Sequence, residues 1–189
     1  MEIKLRRFDA SLRKDFFDLH GAPGTPAECF CAFWWLPEGG DWSKRTADEN
    51  REQREQLLDH GEYDGYIAYS GGKPVGWCQV GRRDRLPYLK KRMELEPSPE
   101  VWGITCFFIL PDFRKKGVAT EMLRAVLADL RSKGVRRVEA YPRREAKHDD
   151  ESLWNGPEQI FTREGFKVVR EDARRPVLAL DLGGRSART

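Results

Sequence analysis

The residues best suited to chemistry form a basic turn that contains a glycine, from Arg114 to Thr120. Lys115 and Lys116 add positive charge, and Gly117 would let the backbone approach a bound anion closely. The apolar spacing that begins at Val118 predicts a helix, and the first turn of a helix leaves backbone N–H groups unpaired. Because such a helix start attracts anions, the turn predicts a site for a phosphorylated cofactor. The alternative is an ordinary basic surface turn before a helix.

Two strands and a helix must hold this turn in place. An apolar run from Ile104 to Leu110 is typical of a strand buried on both faces. Helical spacing continues from Val118 to Leu130, Gly134 ends the helix, and a short strand follows from Val135 to Ala140. These elements form a βαβ unit, for which we expect a right-handed crossover. The turn matches neither the Walker A loop nor the dinucleotide fingerprint.

The segment from Phe108 to Ala119 resembles the acetyl-CoA motif of the GNAT superfamily of N-acyltransferases. That motif is an apolar strand, a proline shortly after it, and [QR]-x-x-G-x-[GA] at the start of a helix. Arg114 and Gly117 occupy its first two marked positions, and Ala119 the third. Ile160 to Phe166 is similar to the family's helix that ends in Gly-Phe before a strand. The resemblance implies an acetyl-CoA-dependent N-acetyltransferase, in which a primary amine attacks the thioester directly.

The implied fold class is α/β (α+β), a single domain with a GNAT-like mixed, mostly antiparallel central sheet flanked by helices. One parallel pair of strands, around the βαβ unit, is expected to splay apart. The resemblance covers most of the chain from Tyr66 to Leu182. Two predicted strands, Tyr63 to Ser70 and Lys73 to Gly81, join through a Gly-Gly hairpin turn. We expect residues 1–182 to form the domain and residues 183–189 to be a frayed tail.

The resemblance also places acetyl-CoA, the acyl donor and co-substrate, between the two parallel strands, and it implies no metal ion. Backbone groups of Phe107, Phe108 and Ile109 would pair with the pantetheine arm. An amide near Ile109 or Leu110 would polarise the thioester carbonyl. The implied cofactor-binding residues are Phe107, Phe108, Ile109, Leu110, Arg114, Lys115, Lys116, Gly117, Val118, Ala119 and Thr120.

The group that would protonate the leaving thiolate is not at its usual place. GNAT enzymes often have a tyrosine near the start of the helix before Gly-Phe, and this chain has Phe161 there. Tyr141 is the first candidate replacement, and Ser152 is the second; simple packing of Tyr141 at a strand end is the alternative. Glu139 lies beside Tyr141, although we expect strand alternation to point it to the other face. The further candidate bases are Glu94, Glu96 and Glu100.

A cysteine and aromatic stretch runs from Cys29 to Trp35 and is similar to a C-x-C-x-x-[FW] element of some GNAT proteins. A C-x-C pair can bind a metal ion, but a zinc site needs four protein ligands, or three plus water. The nearest histidines, His20 and His60, have no ligand-like spacing. We therefore interpret the cysteines as buried thiols. The aromatic residues are a candidate wall of the acceptor pocket.

Four other segments flank these elements. Ser11 is expected to cap a short helix near the N-terminus. The capping box Thr46-Ala47-Asp48-Glu49 predicts a helix to about Leu58, which is charged almost all round and so is expected on the surface. The long polar connection from Arg82 to Pro99 is a candidate cover for the acceptor pocket. Arg143 to Asn155 is a charged connection that we expect to be mobile.

Composition narrows the function classes. The 189 residues suit one domain, and 34 basic against 31 acidic residues give a formal net charge of +3. A nucleic-acid binder usually has a stronger or more segregated basic charge. No apolar run approaches a membrane span, and the N-terminus has no signal-peptide core. Because the four cysteines do not form a disulfide-dense pattern, we expect a reduced, cytoplasmic protein.

The expected partner is a small-molecule or peptide amine, without nucleic acid or membrane; a homodimer, common in the resembling family, is left open. Two other functions are kept as alternatives. One is a catalytically silent acyl-CoA-binding sensor or scaffold of the same fold, which Phe161 favours. The other is a nucleic-acid or regulatory protein that uses the basic clusters Arg82-Arg83, Lys90-Lys91-Arg92 and Arg143-Arg144.

Overall fold

Seven strands of the described residues form one mixed sheet. The computed structural model describes residues 2–23, 25, 28–144 and 154–183. The strands are β1 (Lys4–Arg7), β2 (Tyr66–Ser70), β3 (Lys73–Arg82), β4 (Val101–Ile109), β5 (Arg137–Ala140), β6 (Lys167–Arg170) and β7 (Val177–Asp181). Their order is β1-β2-β3-β4-β5-β7-β6, and only β4 and β5 run parallel. The predicted mixed, mostly antiparallel sheet is confirmed.

Helices cover both faces of the sheet. They are α1 (Arg13–His20), α2 (Ala47–Asp59), α3 (Pro87–Arg92), α4 (Val118–Ser132) and α5 (Glu158–Arg163). Because side chains alternate along a strand, Phe107 and Ile109 of β4 join the core formed with α4 and α5. Cys106 and Phe108 join the core formed with α1 and α2. β4 is therefore buried on both faces, as its apolar run predicts.

The predicted βαβ unit is present in the sequence β4, α4, β5. Buried residues along α4 recur every three or four positions, so one side of the helix packs on the sheet. They are Val118, Met122, Leu123, Val126, Leu127 and Leu130. Gly134 follows α4 with a φ angle of 74°, the left-handed conformation that suits glycine at a helix end. The unit holds the basic turn between the end of β4 and the start of α4.

Gly71 and Gly72 form the predicted tight turn between β2 and β3. Their φ angles of 56° and 78° are both positive, as in a type I′ turn. Ser70 pairs with Lys73 directly across this turn. The hairpin places β3 on one edge of β4 and leaves the other edge to β5.

One local prediction about the helices is wrong. Asp9, rather than Ser11, caps the N-terminal helical segment, because its carboxylate accepts from the Ser11 N–H at 2.8 Å and from the Ser11 hydroxyl at 2.6 Å. The capping box of α2 is confirmed, and most of the helix lies at the surface, with one face buried. Arg54 and Leu58, four residues apart, are both buried. Arg54 is accommodated because its guanidinium lies 4.9 Å from the centre of the Phe16 ring.

Two connections complete the chain. The connection between β3 and β4 contains α3, whose Leu89 is buried, so this segment is more ordered than its polar composition indicates. Most of the connection after Pro142, including Ser152, lies outside the described residues, as does the predicted tail beyond Gly183. Among the helices described, none is long and apolar enough to cross a bilayer.

Candidate active site

A cavity of about 880 Å³ lies where β4 ends and α4 begins. The end of β4, the basic turn, the first turns of α4 and α5, and loops between α1 and α2 contribute to it. Most of the predicted cofactor-binding residues line this cavity: Phe107, Phe108, Ile109, Arg114, Lys115, Gly117, Val118, Ala119 and Thr120. Leu110 and Lys116 are not part of the lining.

The basic turn has the backbone shape of an anion-binding site. Lys115 and Gly117 have positive φ angles of 58° and 82°. A Cβ atom at Gly117 would meet nothing within 4 Å, so the space beside the turn is open. α4 is 15 residues long, and its first N–H groups have no partner within the helix. The turn can therefore hold a phosphate or a pyrophosphate.

Side-chain and backbone contacts tie this turn to β4. The Arg114 guanidinium donates from Nε to the Ile109 carbonyl oxygen at 2.9 Å. The Leu110 N–H donates to the Val75 carbonyl oxygen at 2.9 Å, so that amide is directed at β3 rather than at the cavity. Because backbone groups alternate in direction along a strand, the Ile109 N–H faces the opposite, open side. Of the two amides predicted to polarise a carbonyl, Ile109 has the suitable direction.

β4 and β5 separate at the cavity. They pair from Val101 to Ile104 of β4, and not beyond. Further along, the Phe107 N–H donates to the Trp154 carbonyl oxygen at 2.6 Å. Phe108 faces β3 by the same alternation that applies to Leu110, so it offers its ring rather than its backbone to the cavity. The backbone edge open to a ligand is therefore shorter than the sequence predicts.

Comparison with known proteins identifies the family. The family model described as acetyltransferase (GNAT) family matches residues 28–151, which is more than half of the chain. This chain belongs to the GNAT acetyltransferases. It is therefore an acyltransferase of a family whose members use acetyl-CoA. The finer resemblance of residues 29–35 to a C-x-C-x-x-[FW] element stays a prediction.

Solved structures agree with the GNAT fold. The PaiA N-acetyltransferase from Thermoplasma acidophilum, in complex with coenzyme A, has a TM-score of 0.57 at 14% identity, over 96% of this chain and 99% of that chain. The ribosomal-protein-S18-alanine N-acetyltransferase from Escherichia coli has a TM-score of 0.56 at 10% identity, over 100% of this chain and 99% of that chain. An N-acetyltransferase from Staphylococcus aureus Mu50 has a TM-score of 0.56 at 13% identity, over 97% of this chain and 100% of that chain. No curated protein matches at a significant level. At these identities the likeness establishes the fold.

The predicted catalytic tyrosine of this GNAT enzyme lies away from the cavity. Tyr141 is fully buried, and its hydroxyl donates to Glu139 Oε2 at 2.9 Å. Burial and the Glu139 carboxylate raise the pKa of Tyr141 well above its ordinary value. Glu139 and Tyr141 share a face because they are two residues apart, so the expectation that Glu139 points to the other face is wrong. The structure therefore favours the alternative role for Tyr141, which is to pack at the end of the strand.

The other predicted acid and base positions do not line the cavity either. Phe161 is fully buried, and its ring contacts Phe166 edge to face at 5.4 Å between centroids. A tyrosine hydroxyl at this position would lie in the core. The candidate bases of the polar connection are absent from the described lining: Glu94, Glu96 and Glu100. No tyrosine side chain is present in that described lining.

Sequence reasoning missed Glu28, the one acidic side chain among the described residues that line the cavity. Asn50 of α2, which is only 1% exposed, donates from Nδ2 to the Glu28 carbonyl oxygen at 2.6 Å. Asn50 in turn accepts from Arg45 Nε at 2.6 Å. Glu28 is therefore positioned by a contact with a helix that begins nineteen residues later. No spacing in the sequence indicates that contact.

Three aromatic side chains form one wall of the cavity, and we name Phe33, Trp42 and Trp154 the aromatic wall. The Phe33 ring lies 4.9 Å from the Trp42 ring and 5.4 Å from the Trp154 ring, edge to face in both cases. Trp34, beside Phe33, is fully buried and donates from Nε1 to the Thr105 carbonyl oxygen at 2.9 Å. Of the predicted aromatic stretch, Phe33 thus faces the cavity while Trp34 fixes the segment to β4.

The pKa values of the two cysteines of that stretch are shifted in opposite directions. Burial opposes ionisation of Cys31, but hydrogen bonds from Cys106 and His20 and the charge of Arg54 hold its pKa well below the ordinary value. Cys29 lines the cavity, and burial together with Cys31 raises its pKa to about 12. The thiol in the cavity wall is therefore the harder of the two to ionise, while Cys31 lies in the core, where its Sγ donates to Gln79 Oε1 at 2.7 Å. Among the described residues no group of three or more His, Cys, Asp or Glu side chains could hold a metal ion.

Proposed function

We propose that this enzyme transfers the acetyl group of acetyl-CoA to a primary amine, supplied by a small molecule or a peptide. The observation that carries this proposal is one cavity that contains both an anion-binding turn at Gly117 and the carboxylate of Glu28. Backbone N–H groups from Lys115 to Thr120 would hold the pyrophosphate, with the Thr120 hydroxyl as a further donor. The positive charges of Arg114 and Lys115 would offset the phosphate charge.

The chain's own groups can support a direct transfer. Acetyl-CoA supplies an activated thioester; the amine nitrogen bonds to the carbonyl carbon, and the C–S bond breaks to release a thiolate. The nitrogen then gives its surplus proton to that thiolate, which leaves the amide and the free CoA thiol. The Ile109 N–H would donate to the carbonyl oxygen as negative charge develops there. Because a thiol has a pKa of about 8.5, its thiolate is a stable leaving group at neutral pH. Phe161, which replaces the usual tyrosine, is therefore compatible with turnover.

Glu28 is the proposed proton acceptor. An alkylamine with a pKa of about 10 is mostly protonated at neutral pH and must lose a proton before it attacks. Glu28 is exposed, so it can take this proton directly or through one water. Its backbone contact with Asn50 holds it beside the cavity.

Replacing Glu28 with glutamine should lower kcat/KM for the amine about a hundredfold, which is typical for the loss of a positioned base. The KM for acetyl-CoA should not change, because the substitution leaves the basic turn intact. Steady-state assays of CoA thiol release measure both constants. Glu52→Gln is the matched control, since Glu52 is exposed on α2 and does not line the cavity. An equal loss in both variants would contradict the role of Glu28.

Acetyl-CoA should raise the thermal unfolding midpoint. At a hundredfold excess over Kd, binding adds about 2.7 kcal/mol, which corresponds to roughly 5–10 °C for a chain of this size. Gly117→Asp should abolish the shift, because it places a carboxylate where the turn would hold phosphate. Gly134→Asp is the matched control: Gly134 has a similar φ angle of 74° and equally open surroundings, but it follows the other end of α4. If acetyl-CoA does not raise the unfolding midpoint of the unaltered enzyme, the proposal is wrong.

We further propose that the enzyme works in a reducing compartment such as the cytoplasm. All four cysteines are free thiols, and three of them are buried. Proteins of oxidising compartments more often pair their cysteines in disulfides. The oligomeric state, including a homodimer, stays a prediction.

A further inference from the structure

We propose that the amine acceptor is a small monoamine with an aromatic body, of the arylalkylamine class. This inference rests on the acetyl transfer proposed above and names the kind of amine. It is carried by the aromatic wall and by Glu28, none of which belongs to the turn that would hold acetyl-CoA.

Two of the three residues of the aromatic wall are tied to β4. Phe33 is fixed by its neighbour Trp34, whose indole donates to the Thr105 carbonyl oxygen on β4. Trp154 is fixed to the same strand, because its carbonyl oxygen accepts from the Phe107 N–H. A wall that is already ordered loses little conformational entropy when a ligand binds, so its rings can contribute their full contact energy.

The third ring is anchored independently of β4. Trp42 begins a short 3-10 helix that Asp41 caps, with the Asp41 carboxylate accepting from the Ser43 N–H at 3.0 Å. Phe33, Trp42 and Trp154 are each half-buried, so part of each ring remains available to the cavity. Aromatic rings prefer offset or edge-to-face contacts with another ring, which a flat ligand can make against this wall.

The charge of the cavity favours an amine with a single positive charge. Glu28 is the one acidic side chain in the described lining, and Cys29 is a neutral thiol there. An ammonium group beside the aromatic rings would be attracted by their faces and by the Glu28 carboxylate. A second ammonium group would find no second carboxylate in the described lining. Polyamines are therefore disfavoured relative to monoamines.

The basic groups of the lining define the rival class of acceptor. Arg114 and Lys115 belong to the basic turn, and Arg163 ends α5. An acidic amine could pair with Arg163, but its carboxylate would share the cavity with Glu28. The volume of about 880 Å³ is typical of small-molecule sites and must also accept the donor's reactive end, which favours a compact amine over a folded protein substrate.

Assays with amines of different chemical types can distinguish these classes of acceptor. Tryptamine and phenethylamine would be compared with spermidine, glutamate and a lysine-containing peptide at saturating acetyl-CoA, with CoA thiol release as the readout. We expect kcat/KM for tryptamine to exceed that for the other three classes at least about tenfold, since only the aromatic amine gains a ring-to-ring contact with the wall, which is worth about this factor.

Variants of the wall give a second, independent readout. Trp42→Ala should raise the KM for tryptamine about tenfold and leave the KM for acetyl-CoA unchanged, whereas Trp42→Phe should restore most of the affinity. Trp35→Ala is the matched control, because Trp35 is half-buried in the segment next to Phe33 but does not line the cavity.

The outcomes separate this inference from the proposed function. Stabilisation by acetyl-CoA together with a preference for spermidine, glutamate or the peptide would overturn the aromatic acceptor and retain acetyl transfer. Stabilisation without turnover of any aromatic monoamine would overturn it as well. An equal rise of the tryptamine KM in Trp42→Ala and Trp35→Ala would contradict the role of the wall. Absence of any stabilisation by acetyl-CoA would remove the proposed function itself.

Discussion

Replacement of Arg83 with methionine should lower the free energy of unfolding by about 3–5 kcal/mol. The side chains of Arg83 and Glu139 are 8% and 6% exposed, and the Arg83 Nη1 to Glu139 Oε2 distance is 2.6 Å. Methionine fills much of the volume but removes the nearest positive charge. Glu139 would then keep the Tyr141 hydroxyl as its close hydrogen-bond donor in the core. Most of the cost comes from this poorly compensated carboxylate, because a buried charge has lost its hydration.

A double-mutant cycle separates the pair from its surroundings. Arg83→Met combined with Glu139→Gln should be more stable than Arg83→Met alone, because the second change removes the buried charge. Arg137→Met is the matched control: Arg137 Nε also lies near Glu139, at 3.6 Å, but its side chain is 36% exposed. We expect the Arg137→Met control to lower the free energy of unfolding by less than about 1 kcal/mol. Strictly additive losses in the double variant, measured by urea unfolding at pH 7, would contradict the buried pair.

The same pair explains how the polar connection before β4 is held. Arg83 Nη2 donates to the Glu96 carbonyl oxygen at 2.6 Å, so one guanidinium joins this connection to Glu139 on β5. Of the candidate glutamates in the connection, Glu96 is thus held through its backbone. The carboxylate that lines the cavity is that of Glu28.

Local patterns made the core of the fold predictable. The turn between β2 and β3 follows from Gly71-Gly72, and α4 follows from apolar spacing that ends at Gly134. Each of these signals lies within a few residues of the feature that it specifies. The basic turn, which is the candidate anion site, was predictable for the same reason, since Gly117 directly precedes the helix start.

The loops that complete the cavity were not predictable in the same way. Glu28, Trp42 and Trp154 come from loops that are far apart in sequence, and contacts with α2, Phe33 and β4 bring them together. No regular spacing relates these three residues, so the sequence gives no indication that they meet. Tyr141 was misleading for a related reason: its contact with Glu139 is local, but the hydrogen bond from Arg83 to that same carboxylate joins residues far apart in the sequence.

Alkaline pH should destabilise this protein unusually steeply, with a maximum of stability near pH 8.5. Burial raises the pKa of Cys78 and of Cys106 well above the ordinary value, and burial with Cys31 raises that of Cys29 to about 12. In the unfolded chain these thiols titrate near pH 8.5. Above this pH the unfolded state releases three protons that the native state retains. The free energy of unfolding should then fall by about 4 kcal/mol per pH unit, or about 1.4 for each thiol.

Below pH 8.5, Cys31 should make the free energy of unfolding rise with pH. Its native pKa is depressed, so its contribution to stability is complete above the unfolded pKa near 8.5 and is lost as the pH falls towards its native pKa. Urea unfolding under reducing conditions from pH 6.5 to 10 would measure both limbs. Cys31→Ser should flatten the rising limb, because the Arg54 charge and the His20 contact would no longer stabilise a thiolate. Cys78→Ala, at a fully buried position, should instead remove about one third of the falling slope. A profile that stays flat from pH 8.5 to 10 would show that the buried thiols ionise in the native state, contrary to their burial.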